Sequence, residues 1–117
     1  FANKGEIKRM REMYVRVEEL AFAEVQAQVD NYWAYADLLV SRLALGKTEA
    51  AQDTLRGVFS TSPPESPYTL TSLVETLERL AQVLPADERQ PIYDMIEQIN
   101  SFIAARQAGE IEGPVVD

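Results

Sequence analysis

Apolar positions recur along the first forty-odd residues with a period that never loses phase. Ile7, Met10, Tyr14, Val17, Ala21, Val25, Val29, Tyr32, Ala36, Leu39 and Leu43 follow one another at spacings of three and four. That is the helical period, and it excludes strands. No glycine or proline interrupts residues 6 to 45. The two halves of the run differ in what lies between the stripe positions. Up to Val25 the intervening residues are mostly charged, among them Lys8, Arg9, Arg11, Glu12, Arg16, Glu18 and Glu19. Beyond Asn31 they are apolar: Trp33, Ala34, Tyr35, Leu38, Val40, Ala44 and Leu45, interrupted by Asp37, Ser41 and Arg42. The second half is therefore expected to be buried on several sides and to form the core.

A single helix over 6–45 would span about 60 Å at 1.5 Å per residue, whereas a domain of this size has a diameter of roughly 35 Å. The first half must then project as an arm, pack on a second copy, or turn back at Asp30-Asn31, the best N-cap chemistry inside the run. Phase continuity favours one helix, bent near 30; the usual length of globular helices favours two.

Further along, Gly46 stands where a helix C-cap glycine belongs. Residues 47–60 read as a second helix, with Thr48 as its cap and Ala51, Leu55, Val58 and Phe59 on one face. Gly57 weakens that helix by roughly 1 kcal/mol relative to alanine, and close approach of the core helix is the packing reason for it. The stretch Ser60-Thr61-Ser62-Pro63-Pro64-Glu65-Ser66-Pro67 is a loop. Ser66-Pro67 then opens a helix over 67–84, whose Leu70, Leu73, Leu77, Leu80 and Leu84 form an interhelical seam at heptad spacing. Pro85 stops it. Asp87 with Gln90 reads as a capping box before a helix over 88–107 carrying Ile92, Met95, Ile96, Ile99, Phe102 and Ile103, closed by Gly109. Residues 110–117 read as a flexible tail or linker. The expected architecture is all-α: one domain over 1–109, an up-and-down bundle of four (or five) helices with a long N-terminal helix.

Composition narrows the chemistry. The 117 residues contain no cysteine and no histidine. The second absence removes histidine metal ligands, histidine general bases and every triad built on one. No apolar run reaches the roughly 18 residues of a membrane span. A start at Phe1 rather than Met reads as a processed or trimmed chain, so targeting segments lie outside this reading. The formal charge of −8 is unevenly spread. Residues 1–16 hold Lys4, Lys8, Arg9, Arg11 and Arg16 against Glu6 and Glu12, a net +3, and the rest of the chain carries −11. The arm is expected to seek an acidic surface, its own or a neighbour's. The acidic body argues against nucleic acid as a partner.

Three local patterns resemble known motifs. Gly46-Lys47-Thr48 ends like a phosphate-binding loop, but Ser41 stands where that motif needs its first glycine, and the preceding residues read as helix rather than strand. Glu75 with Glu78 and Asp94 with Glu97 pair at helical spacing, yet bundle di-metal sites join their glutamates to histidines. Tyr35, Leu38, Ala51, Leu55 and Pro63 fall at offsets that resemble one tetratricopeptide repeat. Leu39 and Arg42 depart from that signature and no second copy follows, so no family is assigned.

The sequence thus points to a non-enzymatic protein-protein interaction module, a homodimerising scaffold or an adaptor, with no cofactor, metal, nucleic acid or membrane insertion. Its expected contact residues are Ile7, Met10, Tyr14, Val17, Tyr32, Trp33 and Tyr35, since aromatic groups that span more than one helix face often anchor interfaces. The alternatives are a small carboxylate-based or metal-dependent enzyme centred on Glu75, Glu78, Asp94 and Glu97, and an acidic decoy of a nucleic-acid-binding protein.

Overall fold

The forty-residue run is two helices. In the computed structural model, which describes residues 3–109, α1 spans Lys4–Ala27 and α2 spans Tyr32–Ala44. The break is local chemistry. Gln28 leaves the helix with extended backbone (φ −137°, ψ 96°), and the Asn31 side chain accepts a hydrogen bond from the Ala34 N–H at 3.2 Å, capping α2. Reversal at this point fits the whole run into a molecule whose longest extent is 45 Å. Of the two expected forms of residues 6–45, one helix bent near 30 or two helices, the chain takes the second and turns back at Asp30-Asn31.

The rest of the chain follows in α3 (Thr48–Thr61), α4 (Tyr68–Val83), a 3-10 turn at Ala86–Glu88 and α5 (Gln90–Gln107). The described residues form an all-helical bundle without strands. α2 is its axis, packed between α1 and α3 and touching α4, while α4 and α5 make a second hairpin. Between α2 and α3 the chain closes in a tight C-terminal motif: Gly46 takes φ +76°, its N–H donates to the Leu43 carbonyl and that of Lys47 to the Arg42 carbonyl.

Two apolar clusters result. The larger joins Tyr32, Leu39 and Leu43 of α2 to Leu55 and Val58 of α3, the α4 leucines and Ile92, Met95 and Ile99 of α5. All five heptad leucines, Leu70 to Leu84, are buried in it. The smaller consists of Ala21 and Val25 of α1 against Ala34 and Leu38 of α2, where small side chains let the two helices come close. α3 meets α5 through Phe59 and Phe102, stacked 4.0 Å apart, and through a mutual Gln52–Gln98 amide pair. Gly57 has the packing role expected of it: a Cβ there would lie 2.3 Å from the Tyr35 ring.

Three expected caps are placed differently. Lys47 precedes α3 without a side-chain cap bond, and Thr48 is the first helical residue. Pro67, not Ser66, occupies the N-cap of α4. Asp87 forms no capping box, because residues 86–88 are taken up by the 3-10 turn and α5 starts at Gln90 with Pro91 in its first turn. Arg89 supplies the tie instead, donating to the Leu84 carbonyl at 3.0 Å and the Gln82 carbonyl at 3.3 Å at the end of α4. The tail expected over 110–117 lies outside the described residues.

Candidate interaction surface

Pairing of α1 with α2 turns the continuous stripe inward. Ile7 and Tyr32 are buried, and Met10, Tyr14, Val17 and Tyr35 are half-buried. Of the seven residues expected to make contacts, Trp33 alone is exposed, at 60%, with its ring edge-on to Tyr32. The Tyr32 hydroxyl is committed internally, donating to the Thr69 carbonyl at 2.8 Å, and burial pushes its pKa up to about 12.

Polar side chains fix how α1 sits. Glu18 is the centre: its carboxylate receives Lys47 Nζ at 2.6 Å and Arg42 Nε at 3.2 Å. Burial opposes its ionisation, but the bonds from Lys47 and Arg42 prevail and hold the carboxyl below its ordinary range. The Arg42 guanidinium reaches on to Thr54 Oγ1 at 2.6 Å and lies over the Phe22 ring, so one side chain ties α1, α2 and α3. At the other end Arg11 donates to the Ala44 carbonyl at 3.3 Å and pairs with Glu88. The basic start of the chain has thus found an acidic residue of its own molecule. Beside this pair Ile7, Val15 and Pro85 line a cleft of about 560 Å³ edged by Lys4, Lys8 and Glu12.

Four large apolar side chains that the stripe leaves out point outward on α1: Val15 and Phe22, each 44% exposed, and a more exposed pair. Met13 is 52% exposed and Leu20 66%. They stand seven residues apart, two helical turns, with half-buried Val17 between them. This flank continues toward α2. Glu24, near its end, is close enough to Asp37 for its charge to add to burial in raising the Asp37 carboxyl. Asp37 and Trp33, one turn apart on α2, line a small hollow with Thr69, Ser72 and Thr76 of α4. Met13 and Leu20, with Glu24 one turn beyond, thus form one exposed flank of α1, and Trp33 is the exposed aromatic of α2. Sequence reasoning missed Met13 and Leu20, although the signal was present: they are large apolar residues out of phase with the stripe and surrounded by charge.

The acidic pairs Glu75–Glu78 and Asp94–Glu97 do not converge on one site. Among the described residues no group of three or more carboxylates stands close enough to hold a metal ion. Asp94 and Glu97 line an open cleft between α3 and α5 with Phe59 and Phe102, and Glu75 and Glu78 are not part of it. Lys47, the lysine of the loop-like triplet, is engaged by Glu18. No helix among the described residues is long and apolar enough to cross a membrane. Comparison with models of known protein families, with curated proteins and with solved structures finds no match.

Proposed function

We propose that this chain is a protein-association module, without a catalytic centre, whose contact surface is the outward flank of α1 together with Trp33. One observation carries the reading: Met13 and Leu20 hold large apolar side chains more than half exposed on one flank of a helix whose outward positions are mostly charged, Val15 and Phe22 being less exposed. Covering them removes apolar surface from water, at about 25 cal/mol per Å², and an exposed tryptophan such as Trp33 is a common feature of binding hot spots. The chain holds no histidine and no cysteine, so chemistry that needs either side chain has no residue to carry it.

The test is residue-resolved. Methyl signals of Met13 and Leu20 and the indole signal of Trp33 are followed by NMR as the protein is concentrated, and again as fractionated cell protein is added at fixed concentration. Shifts centred on these three groups in either titration support the surface. Shifts centred on the α3–α5 cleft, or none in both titrations, overturn it.

A further inference from the structure

The exposed flank of α1 has a property that selects its partner. Charge along this helix is segregated: the net +3 of residues 1–16 is followed by Glu18, Glu19 and Glu24, with no basic residue before the helix ends at Ala27. Arg9, Met13, Leu20 and Glu24 all fall within about 60° of the helix circumference at 3.6 residues per turn. All four are exposed, and Arg9 and Glu24 make no ion pair among the described residues. Read from either end the ridge has the same form, with a charged residue, four positions to an apolar one, seven to the next, and four to a charge of opposite sign.

From this symmetry we infer that the partner is a second copy of the chain, bound through antiparallel packing of the two α1 helices about a two-fold axis between Arg16 and Val17. This rests on the association surface proposed above. The axis sets Met13 against Leu20 of the second copy, and Arg9 against Glu24 of the second copy, each twice. Such an interface is isologous and closes on itself, so it gives dimers rather than filaments. A parallel arrangement would place Arg9 against Arg9 and Glu24 against Glu24. The incoming Arg9 also meets a local need, because Glu24 and Asp37 are neighbouring carboxylates of like charge. Arg16 flanks the axis and gains nothing there; Glu12 and Glu19 of its own helix are at the spacings that answer its charge. Two facing helices offer an area at the low end of specific interfaces, so the dimer is of micromolar or weaker affinity.

Sedimentation equilibrium of the full chain, from about 1 µM to about 1 mM at low and high salt, tests this. The expected mass rises from 13.2 kDa toward twice that value, less readily at high salt, where the charge pairs are screened. Leu20→Glu abolishes association while leaving the helical circular dichroism and melting temperature nearly unchanged. Arg9→Glu weakens it about tenfold, since two favourable contacts become repulsive, and adding Glu24→Arg to that variant restores it to within about threefold of wild type. A chain that stays at 13.2 kDa throughout, a dimer indifferent to Leu20→Glu, or a charge swap that fails to rescue would overturn the second copy as partner. If the mass stays monomeric while the Met13, Leu20 and Trp33 signals respond to foreign protein, the inference fails and the association surface stands. Failure of both removes the surface as well.

Discussion

α1 and α2 are neighbours in the chain and in space, and their apolar stripes share one phase, yet they are used in different ways. In α2, nine of 13 residues are buried; in α1, three of 24 are. Period alone therefore says which face of a helix turns inward, whereas the residues between the stripe positions say how many neighbours the helix has. In α2 those residues are apolar, and α1, α3 and α4 cover them. In α1 they are charged, and the helix lies on α2 as an outer layer, pinned by Glu18 and Arg11 rather than enclosed. An off-stripe apolar residue consequently means different things in the two helices. Leu38 sits among apolar neighbours and is core; Leu20 sits among charges and is surface.

The sharpest way to break this contrast is to truncate one leucine from each helix. Leu39, fully buried in the main cluster, is expected to cost about 2–5 kcal/mol as Leu39→Ala, from lost transfer energy and the cavity left behind. Leu20→Ala, at 66% exposure, is expected to stay within about 0.5 kcal/mol. Urea denaturation at a concentration where the chain is monomeric measures both. Similar losses for the two would mean that α1 is enclosed to the same degree as α2.

Much of the fold was legible because it depends on local chemistry. Asn31, Gly46 and Pro85 act on the backbone next to them, and the five leucines from Leu70 to Leu84 define their face without reference to anything else. The caps at Thr48 and Asp87 fall elsewhere: Thr48 is already inside α3, and a 3-10 turn takes up Ala86–Glu88 before α5 begins. The candidate surface was hidden in the sequence. Ile7, Met10, Tyr14 and Val17 form a stripe that could face either another molecule or the chain's own next helix, and the stripe does not tell which. The reversal at residues 28–31 decides it, and only then do Met13 and Leu20 become the outward residues.

A smaller effect probes how closely α2 is held on its other side. Gly57→Ala adds helix propensity worth about 1 kcal/mol, but its Cβ would meet three atoms of the Tyr35 ring within 2.9 Å. Overpacking of that kind costs about 1–3 kcal/mol, so a net loss of about 1 kcal/mol is expected. In a Tyr35→Ala background the same substitution should stabilise, because the ring is gone and the propensity gain remains. Thermal melts of the four variants form the double-mutant cycle. Additive effects would show that α2 and α3 are not in close contact at this point.

Asn31→Ala acts on the boundary that makes the two helices different. Loss of the bond to the Ala34 N–H should cost about 1 kcal/mol. Hydrogen exchange should then quicken at Ala34 and the first turn of α2, and not in the middle of α1. Unchanged exchange at Ala34 would mean that the reversal is held by packing of Val25 and Leu38 alone.

The smallest expected effect concerns two carboxylates whose shifts have opposite sign. Glu18 has its pKa lowered in the folded state, so its contribution is present above the unfolded carboxylate value and is lost as pH falls through the folded one. Asp37 has its pKa raised, first by burial and then by Glu24; the stability it permits is complete below the unfolded value and declines as pH rises through the folded one. At neutral pH the ionised Asp37 is therefore a net cost, and Asp37→Asn should stabilise the monomer by about 0.5 kcal/mol or less. That gain should vanish once the medium is acid enough to protonate Asp37 in both states. Glu18→Gln should do the reverse, losing stability at neutral pH and approaching wild type at acid pH. Urea midpoints across the acid range compare the two. A gain for Asp37→Asn that does not fade with acid would assign its effect to packing in the hollow beside Trp33 rather than to charge. A loss for Glu18→Gln that persists unchanged into acid would likewise separate the attachment of α1 from the ionisation of Glu18.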